Sequence, residues 1–265
     1  MLQDAAGTHS RLQLMPKTPT TKKKKRFAPA PKKTLALPIL PQPDDTTCGP
    51  TCLHAVYNFY GDDVALDRVI ADTATVDGGG TLGVMLACDA LARGYQVTIY
   101  TYNLMVFDPT WFAPGVDLVE RLQAQAKEKR SKKLRRATEY YVDFLKRGGQ
   151  LRFEELNPGL IRRYLAKNIP ILTGLSATYL YRCAREHGPN CDFDDVRGEP
   201  MGHFVVLNGY DKIQKLVHVA DPWEPQSRSR SRQYWIGIDR VTNAILLGIV
   251  TYDANLLIIE KGSAR

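Results

Sequence analysis

The chain has 265 residues, of which 44% are apolar and 24% are charged. This balance is typical of a globular protein with a sizeable core, and it excludes a wholly disordered, collagen-like or fibrous chain. No run approaches 18 consecutive apolar residues, so the sequence predicts no membrane-spanning helix.

The net charge of +8 lies entirely in the N-terminal segment. Residues 1–35 contain nine Lys and Arg residues and one acid, and the rest of the chain has 27 bases and 27 acids. Because this segment is poor in large apolar residues, we expect a disordered basic tail over residues 1–36 and a folded domain over residues 37–265. The run Thr21–Arg26 fits either a solvated tail or one that weakly attracts nucleic acid or an anionic membrane surface.

The cysteines indicate a reducing compartment. Their number is odd and their spacing shows no paired framework, which favours free thiols over disulfides. The N-terminal residues also lack the apolar segment and small-residue cleavage site of a signal peptide. We therefore expect a cytoplasmic protein.

Helices dominate the first half of the predicted domain. Pro and Asn near the expected starts and Gly after the expected ends mark their limits. A β-branched and aromatic alternation marks one strand at 96–102. The predicted helices span 49–60, 64–74, 82–92, 117–146 and 157–167.

The pattern changes after Pro170, where short apolar runs alternate with turn residues. These runs, at 171–175, 204–210, 216–220 and 256–259, are typical of strands in an antiparallel sheet. A helix is predicted at 236–249. Helices first and strands later predict an α+β fold in which a helical part is followed by an antiparallel sheet.

The segment from Gln42 to Cys52 carries the most chemical information. Cys48 stands just before a predicted helix, where unpaired backbone N–H groups and the positive end of the helix dipole favour a thiolate. Gly49 and Pro50 suit a tight helix entry close to a substrate. Cys52, one turn later, fits a resolving thiol or a small buried residue.

A nucleophilic cysteine needs a base, and the base needs an orienting group. His203 stands at the start of a predicted strand and Asp221 at the end of the next one. In a hairpin these two ends lie side by side, so we expect the carboxylate to hold one ring nitrogen and leave the other for Cys48.

These segments resemble the papain-like cysteine peptidases of the C39 type, including stand-alone C39-like proteins. The resemblance covers residues 36–265 and depends on Gln42, on Cys48-Gly-Pro-Thr-Cys52, on His203-Phe-Val-Val-Leu-Asn-Gly-Tyr and on Asp221-Pro222. It implies a papain-like fold with Cys48 as nucleophile, His203 as base and Asp221 as its orienting acid. It further implies that the side chain of Gln42 and the backbone N–H of Cys48 bind the oxyanion.

The expected function is therefore a cysteine peptidase that cleaves a peptide or amide bond without a cofactor. Two alternatives stay open: an acyl or peptidyl transferase that uses the same thioester, and an inactive peptide-binding module. Exporter-linked relatives often carry an acid before the cysteine, where this chain has Thr47, and no transporter region follows. We therefore expect a stand-alone enzyme with its own peptide or protein substrate.

Two further groups have competing interpretations. The block Lys127–Arg136 holds seven bases and one acid, which fits a solvated helix face or a patch for an acidic partner. Cys183, His187 and Cys191 are four residues apart, but Gly188-Pro189 interrupts them and no standard zinc spacing is met. We expect a flexible loop over 178–201, acting as a wall or lid of the cleft, and no metal site.

Overall fold

The computed structural model describes residues 32–76, 79–223 and 231–262. The predicted tail, with its nucleic-acid or membrane partner, falls almost entirely outside the described residues. Strand β1, Lys33–Thr34, lies within the predicted tail but pairs with a later strand through Tyr210 and Gly209. Two residues of the predicted tail therefore take part in the sheet.

The helical part follows its predicted order. It comprises α1 (Cys48–Phe59), α2 (Leu66–Asp72), α3 (Gly83–Ala92) and the strand β2 (Tyr95–Thr101). A proline at the third position of α1 is tolerated because the first N–H groups of a helix have no partner within it. These four predictions are confirmed to within two residues at each end.

The long helix predicted at 117–146 is wrong. A short 3-10 helix, Pro109–Phe112, precedes α4 (Leu118–Glu128), and α5 (Lys132–Lys146) is a separate helix packed against α4. Ser131 begins α5 because its hydroxyl accepts a hydrogen bond from Leu134 N at 3.2 Å, which makes it an N-cap. Both helices carry an apolar face, so folding them together buries more surface than one extended helix.

The second half contains most of the strands. In chain order its elements are β3 (Gln150–Arg152), α6 (Pro158–Ala166), β4 (Ile171–Ser176), α7 (Ala177–Tyr181), β5 (Glu186–His187), β6 (Asp192–Phe193), β7 (Gly202–Asp211), β8 (Leu216–Ala220), β9 (Gln233–Gly237), α8 (Ile238–Leu247), a 3-10 helix (Gly248–Thr251) and β10 (Asn255–Lys261).

Eight of the ten described strands, including β1 and β2, form one sheet in the order β3-β2-β10-β4-β7-β8-β9, with β1 added to β7, whereas β5 pairs with β6 outside it. Every pairing in it is antiparallel except that of β2 with β3. The α+β class and the mainly antiparallel sheet are confirmed. The strand β9 replaces the start of the helix predicted at 236–249, since residues 233–237 pair in register with all of β8.

The sheet is covered on both faces. Alternate residues of its central strands enter two apolar clusters: Leu172 and Val206 pack with α1, α3 and α5, whereas Ile171 and Val205 pack with α6 and α8. A strand covered on both sides has no polar face, which explains why these strands appear as continuous apolar runs in the sequence. The sheet is thus a rigid platform for residues at its edges.

The tight contact between β4 and the segment before β10 predicts a difference between two glycines. A Cβ at Gly174 would lie 2.9 Å from the carbonyl oxygen of Asp253, whereas a Cβ at Gly237 meets nothing within 4 Å. We expect Gly174→Ala to lower the free energy of unfolding by about 1–3 kcal/mol, the usual cost of overpacking. Gly237→Ala is the matched control, and urea titration of both variants measures the difference; equal midpoints would contradict this packing.

Candidate active site

Cys48 is the first residue of α1 and is partly exposed at the end of a buried helix. The loop before it is held by the hydroxyl of Thr47, which donates to the carbonyl of Asp44 at 3.1 Å. The thiol of Cys52 is fully buried and donates to the carbonyl of Phe204 at 3.2 Å. This bond fastens α1 to β7 beside His203, so Cys52 is a small buried residue that aligns two elements.

His203 and Asp221 meet as the hairpin of β7 and β8 predicts. Nε2 of His203 lies 2.8 Å from Oδ1 of Asp221, and both side chains are buried. Because Nε2 is taken by the carboxylate, Nδ1 is left for another partner. Cys48 lines the same cleft as His203, and its nearness contributes to the raised pKa of the imidazole.

Electrostatics favour a charged imidazole at this position. Burial opposes the imidazolium, but the charge and hydrogen bond of Asp221, followed by the hydrogen bond and charge of Cys48, raise the pKa of His203 to about 10. Burial also opposes ionisation of Asp221, yet the charge and hydrogen bond of His203 hold the pKa of that carboxyl below its usual value. The pair is therefore a buried ion pair whose charges are mutually compensated.

Two tyrosines that the sequence analysis missed complete the shell of Asp221. The hydroxyls of Tyr181 and Tyr234 donate to Oδ2 at 2.5 and 2.7 Å, and the backbone N–H of Trp223 donates to Oδ1 at 3.0 Å. Burial, then the charge of Asp221, raises the pKa of Tyr181 well above its usual value, which keeps its hydroxyl a donor. Tyr181 follows β4 and Tyr234 belongs to the unpredicted strand β9, so their convergence had no local signal.

These hydroxyls yield a prediction about stability. Removing either one leaves a buried carboxylate short of a donor, and hydrogen bonds to charged groups contribute about 1.5–3 kcal/mol. We expect Tyr181→Phe and Tyr234→Phe each to lower the free energy of unfolding by about that amount. Tyr179→Phe, in an exposed tyrosine, is the control and should leave it unchanged; chemical denaturation measures all three, and equal effects would contradict the assigned bonds.

A cleft of about 220 Å³ opens beside Cys48 and His203. Asp253 lies at this cleft and accepts a hydrogen bond from Gly83 N at 2.8 Å, so it also caps the start of α3. Burial raises the pKa of Asp253 to about 7. Sequence analysis missed this residue, although an acid just before the apolar run of β10 was a usable signal. The other lining residues include Asp45, Gly80, Lys133, Gly202 and Thr251.

Gln42 stands apart from the residues that line this cleft. Its backbone N–H donates to the carbonyl of Pro222 at 2.9 Å, which places it beside Asp221 and Pro222. Its side-chain amide nitrogen donates to the carbonyl of Asp44 at 2.8 Å, and its amide oxygen is buried without a partner among the described residues. The oxyanion role of Gln42 stays a prediction.

Residues 153–242 match the sequence model of the Peptidase_C39 like family. The resemblance to C39-type peptidases is confirmed. The matched segment contains His203 and Asp221. It begins after Gln42 and Cys48, so it does not include them. No curated protein is significantly similar to the chain in sequence.

Three solved structures are similar to this chain in fold. A C39-like peptidase from Bacillus anthracis is 14% identical with a TM-score of 0.49, covering 89% of this chain and 100% of its own. Xylellain, a cysteine protease from Xylella fastidiosa, is 16% identical with a TM-score of 0.42, covering 90% and 88%. A double glycine motif protease from an AMS/PCAT transporter, solved with its leader peptide, is 14% identical with a TM-score of 0.42, covering 89% and 99%.

The structure also bears on the expected loop over 178–201 and on the possible metal ligands within it. The 178–201 segment, expected to be a loop, contains α7 and the hairpin of β5 and β6. Cys183, His187 and Cys191 lie in or next to that hairpin, and in the described ranges no three metal-ligating side chains gather.

No helix in the described ranges is both long and apolar enough to cross a bilayer.

Proposed function

We propose that this protein is a cysteine peptidase that cleaves a peptide or amide bond through Cys48, His203 and Asp221. The observation that carries the proposal is the imidazole of His203, which lies 2.8 Å from the carboxylate of Asp221 and lines the same cleft as Cys48. A base held between a nucleophile and an orienting acid is the arrangement that nucleophilic catalysis requires. The family match points in the same direction.

The reaction proceeds through a thioester. The Cys48 thiolate attacks the carbonyl carbon, and the C–N bond breaks as the His203 imidazolium gives its proton to the leaving amine. The neutral imidazole then takes a proton from water, whose oxygen attacks the thioester carbon. The C–S bond breaks, the carboxylic acid leaves, and the thiolate of Cys48 and the imidazolium of His203 are restored without a cofactor.

The tetrahedral intermediate needs donors for its oxyanion. The backbone N–H of Cys48 belongs to the first turn of α1 and has no partner within the helix. The amide nitrogen of Gln42 carries two hydrogens, of which Asp44 accepts one. Its second hydrogen is the donor that the proposed oxyanion role would use, and one such donor contributes about 3 kcal/mol in another hydrolase.

Peptide hydrolysis in ¹⁸O-water tests this function. The wild-type protein is incubated with a proteome-derived peptide mixture, and new C-termini are identified by mass spectrometry. We expect new C-termini that carry ¹⁸O, because the thioester is opened by water. Products that instead incorporate an added amine or peptide identify a transferase, and an unaltered mixture identifies a binding module, which contradicts the proposal.

The proposal includes the substrate class. The partner is a peptide or a protein segment that can enter the cleft in extended form. The cytoplasmic location expected from the cysteines stays a prediction.

A further inference from the structure

We propose that the turn between α4 and α5 binds acidic residues of the substrate next to the cleft. From its sequence, this basic turn, Lys127–Arg136, fits either a solvated face or a binding patch. The inference rests on the proposed peptidase function, since it assigns the substrate class of that same site. Its grounds are the charge of the turn and its physical connection to His203.

The basic turn carries charge that the fold does not neutralise. Over residues 127–139 there are seven bases and two acids, Glu128 and Glu139. Arg136 pairs with Glu139 at 3.5 Å, and in the described part of the chain no other base of the turn has a carboxylate within 4 Å. Lys129 donates instead to the neutral amide of Gln125 at 2.6 Å. Most of these cations are therefore available to a carboxylate from outside.

Lys133 joins the basic turn to the cleft. Its ammonium lies 3.4 Å from the carbonyl oxygen of Thr251 and 4.6 Å from the ring centroid of Tyr252. These contacts hold a long, flexible side chain at the cleft that contains Cys48 and His203, of which it is a lining residue.

Thr251, which Lys133 contacts, also packs against the start of β7. A Cβ at Gly202 would lie 2.8 Å from the hydroxyl oxygen of Thr251, so that threonine packs directly on the residue before His203. Lys133, Thr251 and Gly202 thus form a continuous rim from the basic turn to the imidazole. A peptide that crosses this rim passes the ammonium of Lys133 within a few residues of its scissile bond.

Two carboxylates in the cleft limit the binding of acidic substrate residues to its rim. Asp45 and Asp253 also line the cavity, and each repels a carboxylate bound deep inside it whenever it is ionised. Asp253 is buried against Gly83, whereas Lys132, Lys133 and Arg135 are exposed. An acidic side chain therefore engages the turn outside the cavity, where Lys and Arg present several donors to each carboxylate.

The test uses two charge-matched double variants of the full chain. Lys132→Gln/Arg135→Gln removes two cations from the basic turn. Lys212→Gln/Lys215→Gln removes two exposed lysines after the end of β7 that lies opposite His203. Circular dichroism melts establish that both variants fold like the wild type.

Cleavage is measured on peptide pairs built around a sequence that the wild type cleaves, with Glu or Gln at the flanking positions. We expect the wild type to prefer the Glu peptide in kcat/KM, and the turn variant to lose about three- to ten-fold of that preference, as two exposed ion pairs allow. Added salt should weaken the preference because it screens exposed charges. The control variant should keep the wild-type preference.

Binding separates this inference from the proposed function. Fluorescein-labelled oligoglutamate should bind the Cys48→Ala protein more tightly than oligoglutamine, and the turn substitutions should remove that difference. Cleavage without a Glu preference overturns the inference and leaves the peptidase standing. Oligoglutamate binding without cleavage overturns the peptidase and, with it, the substrate role of the turn, and leaves only a surface that binds acidic peptides. Binding of an oligonucleotide in place of oligoglutamate identifies a nucleic-acid surface and also overturns the inference.

Discussion

Replacing Cys48 with Ala is expected to abolish peptide hydrolysis. The substitution removes the atom that forms the thioester, and loss of a nucleophile of this kind lowers kcat by a factor of about 10⁶ in a well-studied hydrolase. The fold should persist because Cys48 is partly exposed and only packs against the margin of the core, where Ala removes a single atom. The measurement is the rate of appearance of new C-termini in the peptide mixture.

Cys191→Ala is the matched control for this variant. Cys191 is the exposed cysteine of the described chain and lies between β5 and β6, so its loss should leave the rate unchanged. Hydrolysis that continues in Cys48→Ala would refute the assignment of the nucleophile. Loss of activity in Cys191→Ala would place a second thiol in the reaction.

Replacing Asp221 with Asn is expected to have the second largest effect. The neutral amide no longer favours the imidazolium and can hold His203 in the wrong tautomer, a change that lowers kcat by about 10⁴ in another triad enzyme. The sign of the pH effect follows from the charges. Asp221 helps to raise the pKa of His203 to about 10, so without it the imidazolium is lost at lower pH and the alkaline limb of kcat moves down in pH.

Stability should change in the same sense. A histidine whose pKa is raised on folding contributes stability that is complete below its unfolded pKa and disappears as pH rises through its folded pKa. The stability deficit of Asp221→Asn should therefore shrink towards pH 10. Asp211→Asn is the control, since its carboxylate accepts hydrogen bonds from Ile213 and Gln214 at the opposite end of β7; equal pH profiles for the two variants would contradict the role of Asp221.

The parts of the site that depend on local geometry could be predicted from the sequence. Cys48 precedes Gly49 and Pro50, which set a helix start, and His203 and Asp221 occupy adjacent ends of a hairpin. The period of side chains along two neighbouring strands is enough to place those two residues together. The observed distance of 2.8 Å agrees with that argument.

The parts of the site that depend on packing between distant segments could not be predicted from the sequence. Tyr234 reaches Asp221 from β9, a strand whose residues also fit the start of a helix. Tyr181 reaches it from α7, inside a segment with no regular pattern. Ser131 divides the predicted long helix, but one serine is too weak a signal when a helical pattern continues on both sides. In each instance tertiary contacts outweigh local preference.

The most direct measurement is alkylation of Cys48 by iodoacetamide at mildly acidic pH, followed by peptide mass mapping. A cysteine beside a charged imidazole reacts faster with alkylating agents than an isolated cysteine does. We predict selective alkylation of Cys48 over Cys191 in the wild type, its loss in His203→Gln, and its persistence in the control His218→Gln. Equal alkylation of both cysteines, or selectivity that survives His203→Gln, would contradict a catalytic pair of Cys48 and His203.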